Sequence, residues 1–438
     1  MRNIYSVIIG LYGLSLRLLS LVNQKARDWF YGRRYIFDKL EEVFGAHNAG
    51  ENPAPIIWVH CASLGEFEQG RPVIQEIKKR FPGFMVLLTF FSPSGFNHKS
   101  AGSDADMIFY LPIDTKRNAR RFIRLVSPAI AIFVKYEFWF NYLNELHINK
   151  IPTYTISAIF RPEQHFFKWY GGWFRTHLRN LKQVFVQDDE SAELLRLIDV
   201  NNVTISGDTR FDRVTSILQQ STLIEEIENF SQGKKVLVAG STWPADELLL
   251  QKLVESTPDL KLIIAPHEVT TYHLADLSRK FSGNYYLLSE LSTAPIYQEG
   301  HVKDRKKSNY GTISKQVLIV DSIGLLSRIY RYADIAYIGG GFGLGIHNTL
   351  EAAVYGLPVI FGPNYLRFKE ARDLISEKAA VSILSADELI SEVNSFIESP
   401  HKLNAYSNAA SDYVKNRTGA TNLIMSELEK YITNEMAG

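Results

Sequence analysis

The stretch Trp58-Val59-His60-Cys61-Ala62-Ser63-Leu64-Gly65-Glu66-Phe67-Glu68 is an apolar run that ends in small residues and restarts as a helix. The run Ile56 to His60 is a strand, Ser63 and Gly65 allow a tight turn, and Glu66 stands at the N-terminus of the next helix. From Pro55 onward the same alternation recurs. Strands are predicted at Phe84 to Thr89, Met107 to Leu111, Ala129 to Val134, Pro152 to Ser157, Gln183 to Val186 and Val203 to Ser206, with helix-length segments between them. A second series runs through Lys235 to Ala239, Lys261 to Ile264, Tyr285 to Leu288, Val317 to Val320, Ile335 to Ile338 and Pro358 to Phe361. Repeated βα units imply parallel sheets, so the fold class is α/β with two Rossmann-like domains. Ligands of such domains gather outside the carboxyl ends of the strands, in a cleft that two consecutive domains are expected to share.

The expected boundaries are an N-terminal segment at 1–35, a first domain at 36–214, a polar linker at 215–232, a second domain at 233–400 and C-terminal helices at 401–438 that pack back towards the first domain. A chain of 438 residues exceeds what one core usually supports. With 46% hydrophobic and 22% charged residues it is neither disordered nor polytopic in membranes, and a net charge of +1 argues against a general nucleic-acid binder. The single cysteine, Cys61, reads as a small buried residue at a strand end and allows no internal disulfide. The charged stretch Gln298 to Ser314 reads as an exposed, mobile loop.

The N-terminus is nearly all apolar from Ile4 to Leu16 and from Leu18 to Val22, with Arg17 between. A charge near the middle of a span costs on the order of 3 kcal/mol, so an embedded or interfacial helix is expected rather than a clean transmembrane one. From Met1 to Lys39 there are seven basic residues against two acidic ones. That excess suits an anionic membrane surface, as would Arg117, Arg120, Arg121 and Arg124, or Lys168, Arg175 and Arg179. The alternative is an amphipathic helix packed on its own domain.

Charges follow strands at several places. Glu66 is either a carboxylate placed well for the helix dipole or a general base aimed into the cleft. Glu137, in Lys135-Tyr136-Glu137-Phe138-Trp139, is either its partner at one sheet edge or a salt-bridge partner of Lys135 or an arginine. In Gly207-Asp208-Thr209-Arg210-Phe211-Asp212, Arg210 either offers a fixed cation or pairs with Asp208 or Asp212. In the second half, Ile338-Gly339-Gly340-Gly341-Phe342-Gly343-Leu344-Gly345-Ile346-His347-Asn348-Thr349-Leu350-Glu351 puts glycines after a strand, and Asn348 with Glu351 has the spacing of a helix cap. Together with Gly240-Ser241-Thr242 and Ala265-Pro266-His267-Glu268, this loop makes a nucleotide-binding edge the expectation.

The order and spacing of His60 to Glu66, Lys135 to Trp139, Gly207 to Asp212, Pro266-His267 and the glycine loop ending in His347 to Glu351, with Gly356-Leu357-Pro358-Val359, resemble the 3-deoxy-D-manno-octulosonic acid (Kdo) transferases of lipopolysaccharide synthesis. The resemblance covers nearly the whole chain. It implies the GT-B architecture, and an inverting transfer of Kdo from CMP-Kdo to a hydroxyl of the lipid A precursor at the cytoplasmic face of the inner membrane. It implies no metal and no cofactor. By resemblance Glu66 is the general base, and Glu137 and Arg210 stabilise the transition state, Arg210 standing where relatives often carry lysine. The implied CMP-binding residues are Pro266, His267, Ile323, Gly324, Leu325, Asn348, Thr349, Leu350 and Glu351. Competing readings are a GT-B glycosyltransferase or epimerase acting on a UDP-sugar, and a non-catalytic membrane scaffold.

Overall fold

The computed structural model describes residues 1–97, 103–135, 137–220, 223–291 and 314–436. Most of the charged segment from Gln298 to Ser314, and Tyr136, lie outside the described residues. The chain forms two compact units, one of Met1–Arg213 with Arg417–Gly438 and the other of Val214–Asn416.

The first unit holds a parallel sheet of β1 (Ile56–Cys61), β2 (Met85–Phe90), β3 (Met107–Tyr110), β4 (Ile130–Val134), β5 (Thr153–Ala158), β6 (Gln183–Val186) and β7 (Val203–Ile205). Its strand order is β3-β2-β1-β4-β5-β6-β7. The central strands β1 and β4 are buried throughout, which explains why they read as continuous apolar runs. Successive side chains alternate between faces. Trp58 and Phe133 enter one core with Phe122 and Tyr142, while Val59, Cys61 and Ile132 enter the other with Val73 and Ile74. The second core is completed by Ile424, Met425 and Leu428 of the helix Ala420–Tyr431, which returns from the far end of the chain. The start of that helix is held by Asp212, whose carboxylate accepts the N–H groups of Gly419 at 2.6 Å and Thr421 at 2.7 Å.

The N-terminal helix Arg2–Leu19 is tied to this unit at its first turn. Tyr5 donates to Asp114 at 2.6 Å, and Arg2 pairs with Glu145 at 3.0 Å. Burial pushes Asp114 up to about 6, opposed by the hydrogen bonds from Tyr5, Asn141 and Tyr142. Ile4, Val7, Ile8, Leu11, Leu14 and Leu18 form an exposed stripe at helical spacing on this helix. Among the described residues no helix is long and apolar enough to cross a membrane. Of the basic residues expected to form a charged surface, Arg121 pairs with Glu41 at 2.7 Å, and Arg175 and Arg179 donate to backbone carbonyls.

The second unit repeats the plan with β8 (Lys235–Thr242), β9 (Leu260–Pro266), β10 (Tyr285–Leu287), β11 (Val317–Ile319), β12 (Ile335–Ile338), β13 (Val359–Phe361) and β14 (Ala380–Ser382). Their order is β10-β11-β9-β8-β12-β13-β14, all parallel. Here β14 was not expected. It has three residues and a single β-branched one, Val381, too little for a periodic signal, and it forms by pairing with β13. The polar stretch 215–232 carries the end of the helix Thr209–Gln220 and the helix Glu225–Ser231.

Candidate active site

In the first sheet the chain runs from β1 outward through β2 and β3, then crosses to β4 on the other side of β1, so the strand order reverses between β1 and β4. That is where an open α/β sheet leaves a crevice. The register pairs His60 with Phe133, so the two strands end level, and Ala62–Glu66 follows one while Lys135 and Glu137 follow the other at the same edge. Lys135 turns out of β4 with φ of 65°, a left-handed conformation that a lysine rarely adopts.

Glu66 is the third residue of the helix Leu64–Arg80, and its carboxylate reaches back to accept the N–H of Ala62 at 2.5 Å. Burial is the main reason its pKa is raised to about 8, and the nearby Glu137 carboxylate raises it further. The N–H groups of Ala62 and Ser63 and the charge of Lys135 act the other way. Burial raises Glu137 as well. The structure thus brings the two carboxylates into electrostatic contact. Gly70, one turn further along the helix, lets it lie close on the sheet, since a Cβ there would sit 3.1 Å from both Cys61 Sγ and Val134 Cγ2.

Two residues beyond Glu137, Trp139 donates from Nε1 to Nε2 of His60 at 3.0 Å. Indole can only donate, so Nε2 accepts and the imidazole proton sits on Nδ1, which donates to Thr89 Oγ1 at 2.9 Å. Burial holds His60 down at about 3. It is therefore a neutral strut between β1, β2 and the turn that carries Glu137.

Arg210 pairs with Asp208, its Nε donating at 2.8 Å. Asp208 also accepts from Gln69 at 3.0 Å, and Thr209 donates to the carbonyl of Gln69 at 2.6 Å. Gln69 lies in the same helix as Glu66, which fixes the Arg210 turn against that helix. The pairing with Asp208 leaves Arg210 as part of an ion pair, with a side chain 30% exposed.

In the second sheet the order reverses between β8 and β12, and the expected binding residues collect at the carboxyl ends of β9, β11 and β12. Pro266 ends β9, and the exposed ring of His267 follows, stacked on Trp243 at 4.6 Å and on His347 at 4.4 Å. Trp243 donates from Nε1 to His347 Nε2 at 3.0 Å, the same pairing as in the first unit. Burial, then His267, lowers His347 to about 4. Ile323 is 85% exposed, Gly324 turns with φ of 87°, and Leu325 caps the short helix Leu326–Ile329. The glycine loop is held by Asp246, which accepts from the N–H groups of Gly340 and Trp243, both at 2.9 Å, and from the Tyr337 hydroxyl at 2.7 Å.

The cap after the loop differs from the expectation. Thr349 is the N-cap residue, and the helix Leu350–Ala353 is one turn long, so its dipole is small. Asn348 accepts the Leu350 N–H at 3.1 Å and donates to Glu351 at 2.9 Å. Thr349 and Leu350 are buried, Thr349 with an unsatisfied Oγ1, which leaves Asn348 as the exposed member of this group. Among the described residues no group of three or more His, Cys, Asp or Glu side chains is placed to hold a metal ion.

A family model described as 3-deoxy-D-manno-octulosonic-acid transferase (kdotransferase) matches residues 38–213. The 3-deoxy-D-manno-octulosonic acid transferase of Bordetella pertussis is 26% identical over 446 residues, covering 97% of this chain and 99% of the relative. That of Haemophilus influenzae is 25% identical over 411 residues, covering 90% and 91%. The chain is similar to Kdo transferases over nearly its whole length. It is therefore a glycosyltransferase. A UDP-GlcNAc 2-epimerase from Neisseria meningitidis, solved with UDP-GlcNAc, superposes with a TM-score of 0.59 at 16% identity over 86% of this chain and all of the other, a likeness of fold.

The motifs contain His60, Trp139 and His347, but the sequence does not reveal the pairings that hold the site together. His60 with Trp139 and Trp243 with His347 lie 79 and 104 positions apart, and Asp246 lies 94 from Gly340. The one available signal was positional, since both tryptophans stand directly before a helix, Phe140–Ile148 in one half and Pro244–Ser256 in the other.

Proposed function

We propose that this chain transfers Kdo from CMP-Kdo to a hydroxyl of the lipid A precursor, with inversion and without a metal, and that Glu66 is the general base. The observation that carries the reading is the Glu66 carboxylate, fixed by backbone N–H groups at the reversal point of the first sheet, with a pKa raised to about 8. A general base works best when its pKa lies near the operating pH, and burial beside a second carboxylate provides that. Transfer from a sugar nucleotide passes through a state with oxocarbenium character, which favours negative charge nearby. Glu137 supplies that charge, and the ion-paired Arg210 meets the departing phosphate. The donor's nucleotide binds the second unit, where the exposed His267 ring offers a stacking face and Asn348 and Glu351 offer polar groups. The exposed stripe on the N-terminal helix rests on the cytoplasmic face of the inner membrane, where the acceptor lipid resides.

The test is product analysis by mass spectrometry after incubation with CMP-Kdo and the lipid A precursor. The expected product carries the mass of the acceptor plus one or more Kdo residues. No Kdo-bearing product, or equal turnover with a UDP-sugar, would overturn the proposal.

A further inference from the structure

A cavity of about 740 Å³ lies beside the N-terminal helix, within the size range of small-molecule sites. Its walls are apolar, with Leu14, Trp29, Phe37 and Ile113 among them. Its charges are all of one sign. Arg17, Arg33 and Arg34 line it, and among the described residues no acidic side chain does. Arg33 lies over the rings of Trp29 at 4.0 Å and Tyr110 at 4.6 Å, and donates to the carbonyls of Leu111, Trp29 and Phe91. Desolvation lowers its pKa to about 9. Apolar walls under a cationic rim fit an amphiphile with a negative headgroup.

The cavity also adjoins the carboxylate site. Phe91, which accepts from Arg33, packs against Trp139 with ring centroids 4.4 Å apart and planes tilted by 32°, and Trp139 is two residues from Glu137. Next to Phe91, the Ser92 N–H donates to the Ala62 carbonyl at 2.7 Å, and Ala62 holds Glu66. The Glu137 charge reaches Tyr12 on the N-terminal helix. An occupant against Arg33 is thus linked to the proposed base through Phe91, Ser92 and Ala62, a connection that a lipid of the surrounding bilayer would not have.

We infer that this cavity binds an acyl chain of the acceptor lipid, with an acceptor phosphate against Arg17 and Arg34. The inference rests on the proposed transfer to an acylated acceptor and adds the place where that acceptor is held.

Gly10 lines the cavity, and a Cβ there meets nothing within 4 Å, so Gly10→Leu fills space without a clash and favours the helix. Binding of dodecyl phosphate to the full chain, below its micellar concentration, is measured by calorimetry. One site is expected, with affinity lowered at least tenfold by Gly10→Leu. Arg34→Gln, at an exposed position, weakens dodecyl phosphate but not dodecanol. The preference for the acylated over the deacylated acceptor in kcat/KM also falls at least tenfold in Gly10→Leu. An absence of binding, or an affinity and preference untouched by both substitutions, overturns the site. Binding that responds to both substitutions in a chain that transfers no Kdo upholds the site and rejects the transfer reading. Transfer without binding does the reverse.

Discussion

Trp139 and His60 share a hydrogen bond of 3.0 Å that joins the turn carrying Glu137 to the strand that leads to Glu66. Trp139→Phe keeps a ring against Phe91 but leaves a buried imidazole nitrogen without its donor, at a cost of about 1–3 kcal/mol. The expected outcome is a lower urea midpoint with an unchanged m-value, and a drop in kcat larger than any change in donor KM. A variant with the wild-type midpoint and kcat would mean that the bond positions nothing.

The same imidazole makes the first unit sensitive to acid. His60 titrates at about 3 in the folded protein against 6.5 for a free histidine, so between those values the unfolded chain binds the extra proton and stability falls as pH falls. Urea titrations between pH 7 and pH 4 should show this loss. His60→Gln should flatten it, though its midpoint at pH 7 will be lower. An equally steep profile in that variant would place the acid sensitivity elsewhere.

Glu66 reads out in the opposite limb. A base that must be ionised and titrates at about 8 gives a kcat/KM that rises through that pH and levels above it. Glu66→Gln should lower kcat by about 10² to 10⁴ with little effect on donor affinity. Glu137→Gln removes a charge that raises Glu66, so the rise should move to lower pH. A rise at unchanged pH in Glu137→Gln would break the proposed coupling, and near-normal turnover in Glu66→Gln would shift the base to Glu137.

Glu351→Gln retains an oxygen that can accept from Asn348. If the carboxylate holds the donor's ribose, the donor KM rises several-fold while the melting temperature stays put. An unchanged KM assigns Glu351 to the turn alone.

For the membrane, Val7→Asn, Leu11→Gln and Leu18→Gln alter an exposed face and leave Tyr5 and Arg2 on their partners. Sedimentation with vesicles containing anionic lipid should show the triple variant released at salt concentrations that retain the wild type. Equal retention would remove the N-terminal helix as the anchor.

Why some of this could be read in advance and some could not follows from range. The strand runs are local, and most expected ends fall within a residue or two of the observed ones, as with Ile56 to His60 against Ile56–Cys61. The place of Glu66 in the first turn of a helix was legible because a strand, a small-residue turn and a helix start occupy eleven consecutive positions. The choice between a cation and an ion pair at Arg210 was not, because it depends on where Asp208 is turned by Gln69, 139 residues away. The His–Trp struts and the Asp246 clamp are likewise products of tertiary neighbours. β14 needed β13 beside it to become a strand.

The return of the helix Ala420–Tyr431 to the first unit has a consequence for synthesis. While the chain leaves the ribosome, residues 1–213 emerge with one face of their sheet only partly covered, by the helix Leu64–Arg80, because Ile424, Met425 and Leu428 have not yet been made. The residues of the second unit, Val214–Asn416, come out whole before that closure. The first part to be translated is thus the last to be completed, and a ribosome that stops short of residue 420 releases a first unit with an uncovered apolar surface. Such a product is a substrate for chaperones and proteases before it is an enzyme.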